Sequence, residues 1–144
     1  MRRWLLVFLL CGPVTACHGN DPSARRVDAP TQLRIVDLRV GRGAALRTGE
    51  VALVDYTGWL YDSMAPEHKG REFDSSRSRA TPFQFRVGTG AVIPGWDRGL
   101  IGMRVGGRRE LVVPAALAYG QRGAGGVIPP GAALLFDVDL VGIQ

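Results

Sequence analysis

The apolar residues of this 144-residue chain occur in short runs, several of which alternate with polar residues and end at glycine or proline. A period of two places alternate side chains on the same face of a strand, so the pattern is typical of strands with one buried face. The 20 glycines supply turn positions between the runs. On this basis strands are predicted at 33–40, 50–60, a short stretch from Phe73, 82–87, 108–113 and 133–141.

One stretch, 94–101, has helical spacing, with Trp96 and Leu100 on the same side. It contains Gly95 and Gly99, each of which weakens a helix by about 1 kcal/mol relative to alanine. We therefore expect that packing of Trp96 and Leu100 against a sheet holds the helix. The predicted fold class is α+β, an antiparallel sheet wrapped around one short helix. With 46 % hydrophobic and 22 % charged residues the chain can fill such a core, which argues against wholesale disorder.

The first residues have the layout of an export signal. Two arginines precede an apolar run at 4–11, which is shorter than the roughly 20 residues that cross a membrane as a helix. The sequence Val-Thr-Ala-Cys at 14–17 resembles the bacterial lipobox, in which the signal peptidase cuts before an acylated cysteine. The resemblance implies a lipid on Cys17, and the alternative is an ordinary signal peptide cut near Ala16.

This interpretation divides the chain into a signal peptide at 1–16, a lipidated cysteine with a polar tether at 17–30, and a single domain at 31–144. The tether is predicted from its polar composition and its prolines. Because Cys11 leaves with the signal and Cys17 carries the lipid, no disulfide or cysteine metal site is expected. A histidine follows the cysteine in place of aspartate. By the same resemblance this implies the outer membrane, facing the periplasm, in a bacterium with two membranes.

The basic charge of the chain does not indicate a nucleic-acid partner. The sequence pI is near 10.0 and the net charge is +5. The 18 basic residues are nevertheless largely offset by 13 acidic ones, which are spread along the chain. Motifs for phosphate-binding loops, serine hydrolases and zinc peptidases are absent. His68 is the sole histidine of the predicted domain and lies in a polar loop at 63–70. Neither a histidine-dependent triad nor a metal site is therefore expected, and no cofactor is predicted.

Two aspartates in the last predicted strand, Asp137 and Asp139, have the spacing of a paired-carboxylate acid and base site. Strand alternation places them opposite Phe136 and Val138, on the face away from the core. The favoured interpretation is therefore an exposed, solvated face rather than a catalytic pair.

Aromatic residues stand beside strand ends and Pro/Gly turns throughout the domain, often where glycine lets the backbone approach a ligand. Six motifs follow one another: Val-Asp-Tyr-Thr-Gly-Trp-Leu at 54–60, Phe-Asp-Ser-Ser-Arg at 73–77, Val-Ile-Pro-Gly-Trp at 92–96, Ala-Tyr-Gly at 118–120, Ile-Pro-Pro at 128–130 and Leu-Phe-Asp-Val at 135–138. Together they resemble the FKBP-type, macrolide-binding family of peptidyl-prolyl isomerases over about residues 46–143. The resemblance implies an antiparallel half-barrel sheet around a short helix, with an apolar pocket between them.

The resemblance also implies which residues form the pocket. The predicted catalytic residues are Tyr56, Phe73, Asp74, Trp96, Tyr119 and Phe136. Among them Trp96 would be the pocket floor, and the Tyr119 hydroxyl and the Asp74 carboxylate would be polar contacts to the ligand. The predicted substrate-binding residues are Phe83 as a further wall, Val92, Ile93, Val127 and Ile128 as an apolar rim, and the Ile93 N–H as a donor. Arg79 would support the site by pairing with Asp74.

The chain departs from the family pattern in three places. The segment 62–72 is longer than in the small members, Ala124 stands where the best-known members have a histidine, and Leu117 replaces an aromatic residue near the pocket tyrosine. These differences bear on substrate preference and rate rather than on membership.

The resemblance implies an enzyme that accelerates rotation about X-Pro bonds while exported proteins fold in the cell envelope. The expected partners are proline-containing peptides, unfolded exported proteins and macrolide inhibitors, and the expected state is a monomer held at the membrane only by its lipid. The alternative from another class is a binding or chaperone module that holds proline-containing segments. The presence of Asp74, Trp96 and Tyr119 favours the enzyme. A passive structural protein of the envelope would have no use for the pocket.

Overall fold

The computed structural model describes residues 29–144, in which six antiparallel strands surround one short helix. The strands are β1 (Arg34–Arg39), β2 (Val51–Tyr61), β3 (Lys69–Ser75), β4 (Phe83–Arg86), β5 (Arg108–Val113) and β6 (Leu134–Ile143), and the helix is α1 (Pro94–Gly99). Two single turns of 3-10 helix, Pro66–His68 and Ala115–Leu117, lie in connections. The predicted fold class is confirmed. The predicted signal peptide, Cys17 and the tether up to residue 28 lie outside the described residues.

The sheet is built around the pairing of its two longest strands, β2 and β6. The strand order is β1-β5-β6-β2-β3, and β4 pairs with the first half of β2. β2 shows the predicted period of two, because Ala52, Val54 and Tyr56 are buried on the same face. Val138 and Leu140 of β6 join them in the core. This core-bearing side of the sheet is called the inner face, and the opposite side the outer face.

The helix α1 lies against β5 on the inner face and is held by packing rather than by a strongly helical sequence. Pro94 occupies the first turn, where its missing N–H is not needed. Trp96 and Leu100 are buried in the core, as predicted. Gly95 and Gly99 approach β5 so closely that a Cβ atom on either would overlap a β5 side chain. The two weak helix formers therefore permit the contact that stabilises the helix.

The predicted polar loop at 63–70 is partly strand. β3 begins at Lys69 rather than at Phe73, because this segment returns antiparallel along β2 with Lys69 opposite Tyr61. Pro66–His68 forms a single turn in which His68 is exposed. Its ring stacks on Tyr61, with ring centroids 5.2 Å apart. The later part of the longer 62–72 segment, from Lys69 onward, thus lies along the edge of the sheet.

The exposed face predicted for Asp137 is wrong. Asp137 lies on the outer face, as strand alternation requires, but it is only 1 % exposed. Lys69 of β3 and Arg108 of β5 donate to its Oδ2 atom at 3.1 and 3.0 Å. Lys69 also lies over the ring of Trp59, 4.8 Å from the centroid. Alternation identifies the face of a strand but not what covers it, and here side chains from β3 and β5 supply the cover.

No helix within residues 29–144 is long and apolar enough to cross a membrane.

Candidate active site

A cavity of about 350 Å³ lies on the inner face between the sheet, α1, the loop before α1 and the loop after β5. Aromatic and aliphatic side chains form most of its wall, with one carboxylate and one guanidinium. The lining residues are Tyr56, Phe73, Asp74, Arg79, Phe83, Ala91, Val92, Ile93, Trp96, Tyr119 and Phe136. All of these except Ala91 were singled out from the sequence, so the fold brings together side chains that are far apart in the chain.

Trp96 of α1 lies at the centre of the aromatic wall. Its ring centroid is 5.0 Å from that of Tyr56, 5.3 Å from that of Phe136 and 6.2 Å from that of Phe83, all in edge-to-face arrangement. Such pairs are favourable because the positive edge of one ring meets the negative face of the next. Trp96 is 4 % exposed, and its buried indole Nε1 has no hydrogen-bond partner among the described residues. The rings thus hold one another in place around the cavity.

Gly58 in the middle of β2 makes room for two of these rings. A Cβ atom there would lie 2.7 Å from Phe73 and 2.9 Å from Phe136, so any other residue would push the rings apart. Phe73 and Phe136 meet edge to face, with centroids 5.6 Å apart. Sequence analysis did not assign Gly58 a role in the site. The available signal was a glycine inside a predicted strand, which often marks a close approach.

Asp74, near the end of β3, supplies the carboxylate of the cavity wall. Its Oδ2 accepts a hydrogen bond from the Tyr56 hydroxyl, and its Oδ1 accepts one from Arg79 Nη2 at 3.3 Å. Burial, and then the hydrogen bond and negative charge of Asp74, raise the pKa of Tyr56 to about 12. The phenol therefore remains a protonated donor at physiological pH, and Asp74 is held in one orientation.

Two donors at the cavity edge are not used within the described part of the chain. The Ile93 N–H and the Tyr119 hydroxyl have no acceptor among residues 29–144. Ile93 is positioned by the loop before α1, in which Asp97 accepts hydrogen bonds from the Gly88 N–H at 2.7 Å and the Gly90 N–H at 2.9 Å. The same loop brings Ala91 to the cavity. Both donors are thus available to the carbonyl groups of a bound molecule.

Two residues of the predicted rim, Val127 and Ile128, are not brought into the cavity lining. The Ala124 N–H donates to the Ile128 carbonyl at 2.9 Å and the Ile128 N–H donates back at 3.0 Å, which closes a tight turn. Ile128 then enters the core, where it is 5 % exposed, while Val127 is 43 % exposed. The turn therefore separates these neighbours into one core residue and one surface residue.

The cavity combines an apolar, ring-lined space with a fixed carboxylate and two free donors. No three His, Cys, Asp or Glu side chains in residues 29–144 are grouped so that they could hold a metal ion. The arrangement suits a small apolar ring with a carbonyl on either side, which describes a prolyl residue in a peptide. An antiparallel sheet around one short helix that carries such a cavity matches what the sequence motifs imply, and it points to the class of prolyl isomerases.

Comparison with known proteins identifies the family within that class. Residues 43–141 match the family described as FKBP-type peptidyl-prolyl cis-trans isomerase. The chain is 48 % identical over 117 residues to an FK506-binding protein of Streptomyces anulatus, covering 81 % of this chain and 90 % of that protein. It is 51 % identical over 96 residues to the peptidyl-prolyl cis-trans isomerase FPR2 of Saccharomyces cerevisiae, covering 67 % of each. The chain belongs to the FKBP-type peptidyl-prolyl cis-trans isomerase family.

Solved structures show the same fold. The crystal structure of AtFKBP13 superposes with a TM-score of 0.68 at 39 % identity, over 81 % of this chain and 96 % of that one. FkpA from Escherichia coli superposes with a TM-score of 0.67 at 38 % identity, over 79 % of this chain and 49 % of that one. The predicted enzyme class is confirmed: the chain is a peptidyl-prolyl cis-trans isomerase.

Proposed function

We propose that this isomerase holds the proline ring of its substrate in the aromatic cavity and acts on exported proteins as they fold in the cell envelope. The observation that carries the first part is the cavity itself, in which Trp96, Tyr56, Phe83 and Phe136 surround a space of about 350 Å³. That volume is at the lower end of the range for small-molecule sites, which fits one residue rather than a long segment.

The physical basis is the resonance of the peptide bond. A planar amide has a barrier to rotation of about 18–20 kcal/mol, and at X-Pro the uncatalysed exchange takes tens of seconds or longer. Twisting the bond removes the resonance, so the twisted state has less charge separation than the planar one. An apolar cavity disfavours the more polar planar form. The cavity therefore binds the transition state better than the ground state, which is the condition for catalysis.

The polar groups have separate roles in this mechanism. The Ile93 N–H and the Tyr119 hydroxyl orient the carbonyl groups on either side of the proline. Asp74 faces the carbonyl of the rotating bond, and Tyr56 and Arg79 hold the carboxylate in place by donating to its Oδ2 and Oδ1 atoms. No nucleophile, proton transfer or cofactor is needed, because no covalent bond is made or broken.

An isomerase assay on an X-Pro peptide tests this assignment. Trp96→Leu and Asp74→Asn are expected to lower kcat/KM by roughly tenfold or more, equivalent to about 1.4 kcal/mol of transition-state binding. Trp59→Leu and Asp139→Asn are matched controls, since these residues lie on the outer face, and should retain activity. Undiminished activity in both cavity variants would contradict the assignment.

The chaperone alternative has a separate test, which is suppression of the aggregation of an unfolded protein. Suppression that survives in inactive cavity variants would favour this alternative.

Macrolide binding is a further part of the proposal. It is supported by the similarity to proteins named FK506-binding protein in Streptomyces anulatus and Neisseria meningitidis serogroup A, the latter at 47 % identity over 109 residues, covering 76 % of this chain and 94 % of that protein. We expect FK506 to compete with the peptide for the cavity, so that it inhibits the wild-type enzyme and binds Trp96→Leu more weakly. Inhibition that leaves the apparent KM unchanged would contradict competition at this site.

The envelope location rests on the residues that precede the described part of the chain. Their basic start, apolar run and Val-Thr-Ala-Cys sequence support export and acylation of Cys17. In a bacterial host, the wild-type protein should incorporate a labelled fatty acid and sediment with membranes. Cys17→Ser should do neither, and a soluble wild-type protein without lipid would favour the ordinary signal peptide.

A further inference from the structure

The segment 118–132, called the flap from here on, is shaped mainly by its own hydrogen bonds. The Gly131 N–H donates to the Gly120 carbonyl at 2.8 Å and closes the base of the flap. Ala124 and Ile128 exchange two hydrogen bonds at 2.9 and 3.0 Å and close its tip. These closures give the flap its form, but they do not connect the tip to the rest of the domain.

The glycine-rich half of the flap, residues 120–126, packs against the core through the partly buried Ala124, while its glycines add little packing. Its four glycines, Gly120, Gly123, Gly125 and Gly126, all have φ between 49° and 74°, which glycine adopts more readily than other residues. A Cβ atom added at Gly120, Gly125 or Gly126 would meet no atom within 4 Å. Apart from the contact of Ala124, the conformation of this half therefore depends on how the far end of the flap is fixed.

Arg71 of β3 makes the contact at that far end. Its Nη2 donates to the Val127 carbonyl at 2.7 Å, in the peptide that directly precedes Ile128. Across residues 29–144, no other hydrogen bond joins 121–130 to a part of the chain outside the flap. Because the Ile128 side chain is buried in the core, one peptide unit is fixed from two sides. A guanidinium forms a stronger hydrogen bond than a neutral donor does.

Both ends of this contact belong to elements that border the cavity. Phe73, which follows Arg71 closely on β3, lines the cavity, and so does Tyr119 at the start of the flap. The Tyr119 side chain is 42 % exposed, and its carbonyl accepts a hydrogen bond from the Gly123 N–H of the flap at 3.1 Å. Movement of the flap relative to β3 would therefore move the Tyr119 hydroxyl relative to the aromatic wall.

We propose that Arg71 is a positioning residue, which holds the flap in the conformation that binds a proline-containing substrate. The inference rests on the proposed function of the cavity and deepens it. Without this contact the flap populates more conformations, and only a fraction of them presents Tyr119 correctly. Apparent affinity falls in proportion to that fraction. Once substrate is bound, the aromatic wall and Asp74 are unaltered, so KM rises while kcat is nearly unchanged.

Steady-state kinetics on an X-Pro peptide test this separation. Arg71→Ala is expected to raise KM roughly threefold to tenfold, the range for loss of one ordinary hydrogen bond at an exposed position, with kcat unchanged to within about twofold. Arg71→Lys keeps a charged donor and should recover part of the lost affinity. Arg104→Ala is the matched control, because exposed Arg104 likewise donates to a backbone carbonyl, that of Gly43 at 3.1 Å, away from the cavity. It should leave KM unchanged.

Amide relaxation measured by NMR reports the backbone mobility of the flap directly and does not depend on enzyme activity. The order parameters of Gly125 and Gly126 are expected to fall in Arg71→Ala and to remain as in wild type in Arg104→Ala. Either an unchanged KM or unchanged order parameters in Arg71→Ala would overturn the proposal. A wild-type chain that bound no X-Pro peptide would instead count against the proposed cavity function, and the relaxation measurement would still decide whether Arg71 holds the flap.

Discussion

Tyr56 links the stability of the domain to the chemistry of its cavity through the hydrogen bond that it donates to Asp74. Its pKa is raised from 10.0 to about 12, first by burial and then by Asp74. Because the pKa is higher in the folded state than in the unfolded state, the contribution of Tyr56 to stability is complete below pH 10 and is lost as the pH rises through about 12.

An alkaline titration followed by near-ultraviolet absorbance tests this value. Subtraction of the curve of Tyr56→Phe from that of the wild type isolates the ionisation of Tyr56, and we expect a midpoint near 12. The variant also leaves one oxygen of Asp74 without its donor, so a partial loss of isomerase activity should accompany it. A difference curve centred near pH 10 would show that the phenol is neither buried nor bonded as described.

At the scale of residues, the sequence predicted which side chains line the cavity better than it predicted what positions them. Tyr56 and Trp96 lie in recognisable motifs, and the resemblance of those motifs assigns both side chains to the cavity. Ala91 carries no such signal. It lines the cavity because its loop is held by Asp97, which accepts hydrogen bonds from the N–H groups of Gly88 and Gly90. That contact is visible only in the folded chain.

At the scale of elements, α1 depends on two glycines that its intrinsic propensity disfavours. A Cβ atom on Gly95 would lie 2.9 Å from Val113 Cγ2 and closer still to its Cγ1. Val113 is buried and β-branched, so it has few other rotamers. Gly95→Ala should therefore destabilise the domain by about 1–3 kcal/mol, despite a gain of about 1 kcal/mol in helix propensity.

Chemical denaturation of matched variants measures this effect. In Gly99→Ala the new Cβ meets the end of the more flexible Leu111, 2.8 Å from its Cδ2, and a smaller loss is expected. Combining Gly95→Ala with Val113→Ala should cost less than the sum of the two single changes, because the second removes the overlap. Additive losses, or a Gly95→Ala variant as stable as the wild type, would mean that the contact does not require glycine.

Local periodicity predicted most elements because strands and helices bury one face at a fixed spacing. α1 and β5 lie where the pattern placed them, at Pro94–Gly99 and Arg108–Val113. The start of β3 was missed, since Lys69–Glu72 has no apolar alternation and becomes a strand by pairing along β2. Pairing with a distant strand can impose extended structure that the local sequence does not indicate.

At the scale of the whole molecule, charges on the outer face connect strands that are distant in sequence. Asp137 of β6 accepts from Lys69 of β3 and Arg108 of β5, while Asp139 pairs with Arg39 of β1 and with an arginine after β3. Asp137 Oδ1 has no partner among the described residues, so the cluster is incompletely satisfied. In such a cluster the cost of burying charge opposes the gain from the ion pairs, so its net effect on stability depends on the protonation of its neighbours.

Glu110 of β5 is the neighbour through which this cluster should respond to pH. It lies directly opposite Asp137 in the sheet. Burial raises its pKa, as do the negative charges of Asp137 and Glu67, while Lys69 and Arg34 lower it; the resulting pKa lies above that of an ordinary glutamate. The folded state therefore favours the protonated form, and stability falls as the pH rises through the folded-state pKa.

Glu110→Gln fixes the side chain in a neutral form that resembles the protonated carboxyl. We expect the variant to be more stable than the wild type at neutral pH, and the difference to vanish as the pH falls below the ordinary glutamate pKa of 4.5. Urea unfolding at a series of pH values measures this difference. Glu72→Gln, a control at an exposed position of β3, should show no comparable gain at neutral pH. A Glu110→Gln variant that is less stable than the wild type at neutral pH would mean that attraction to Lys69 and Arg34 outweighs the cost of burying the ionised carboxylate. That outcome would contradict the upward direction of the Glu110 pKa shift.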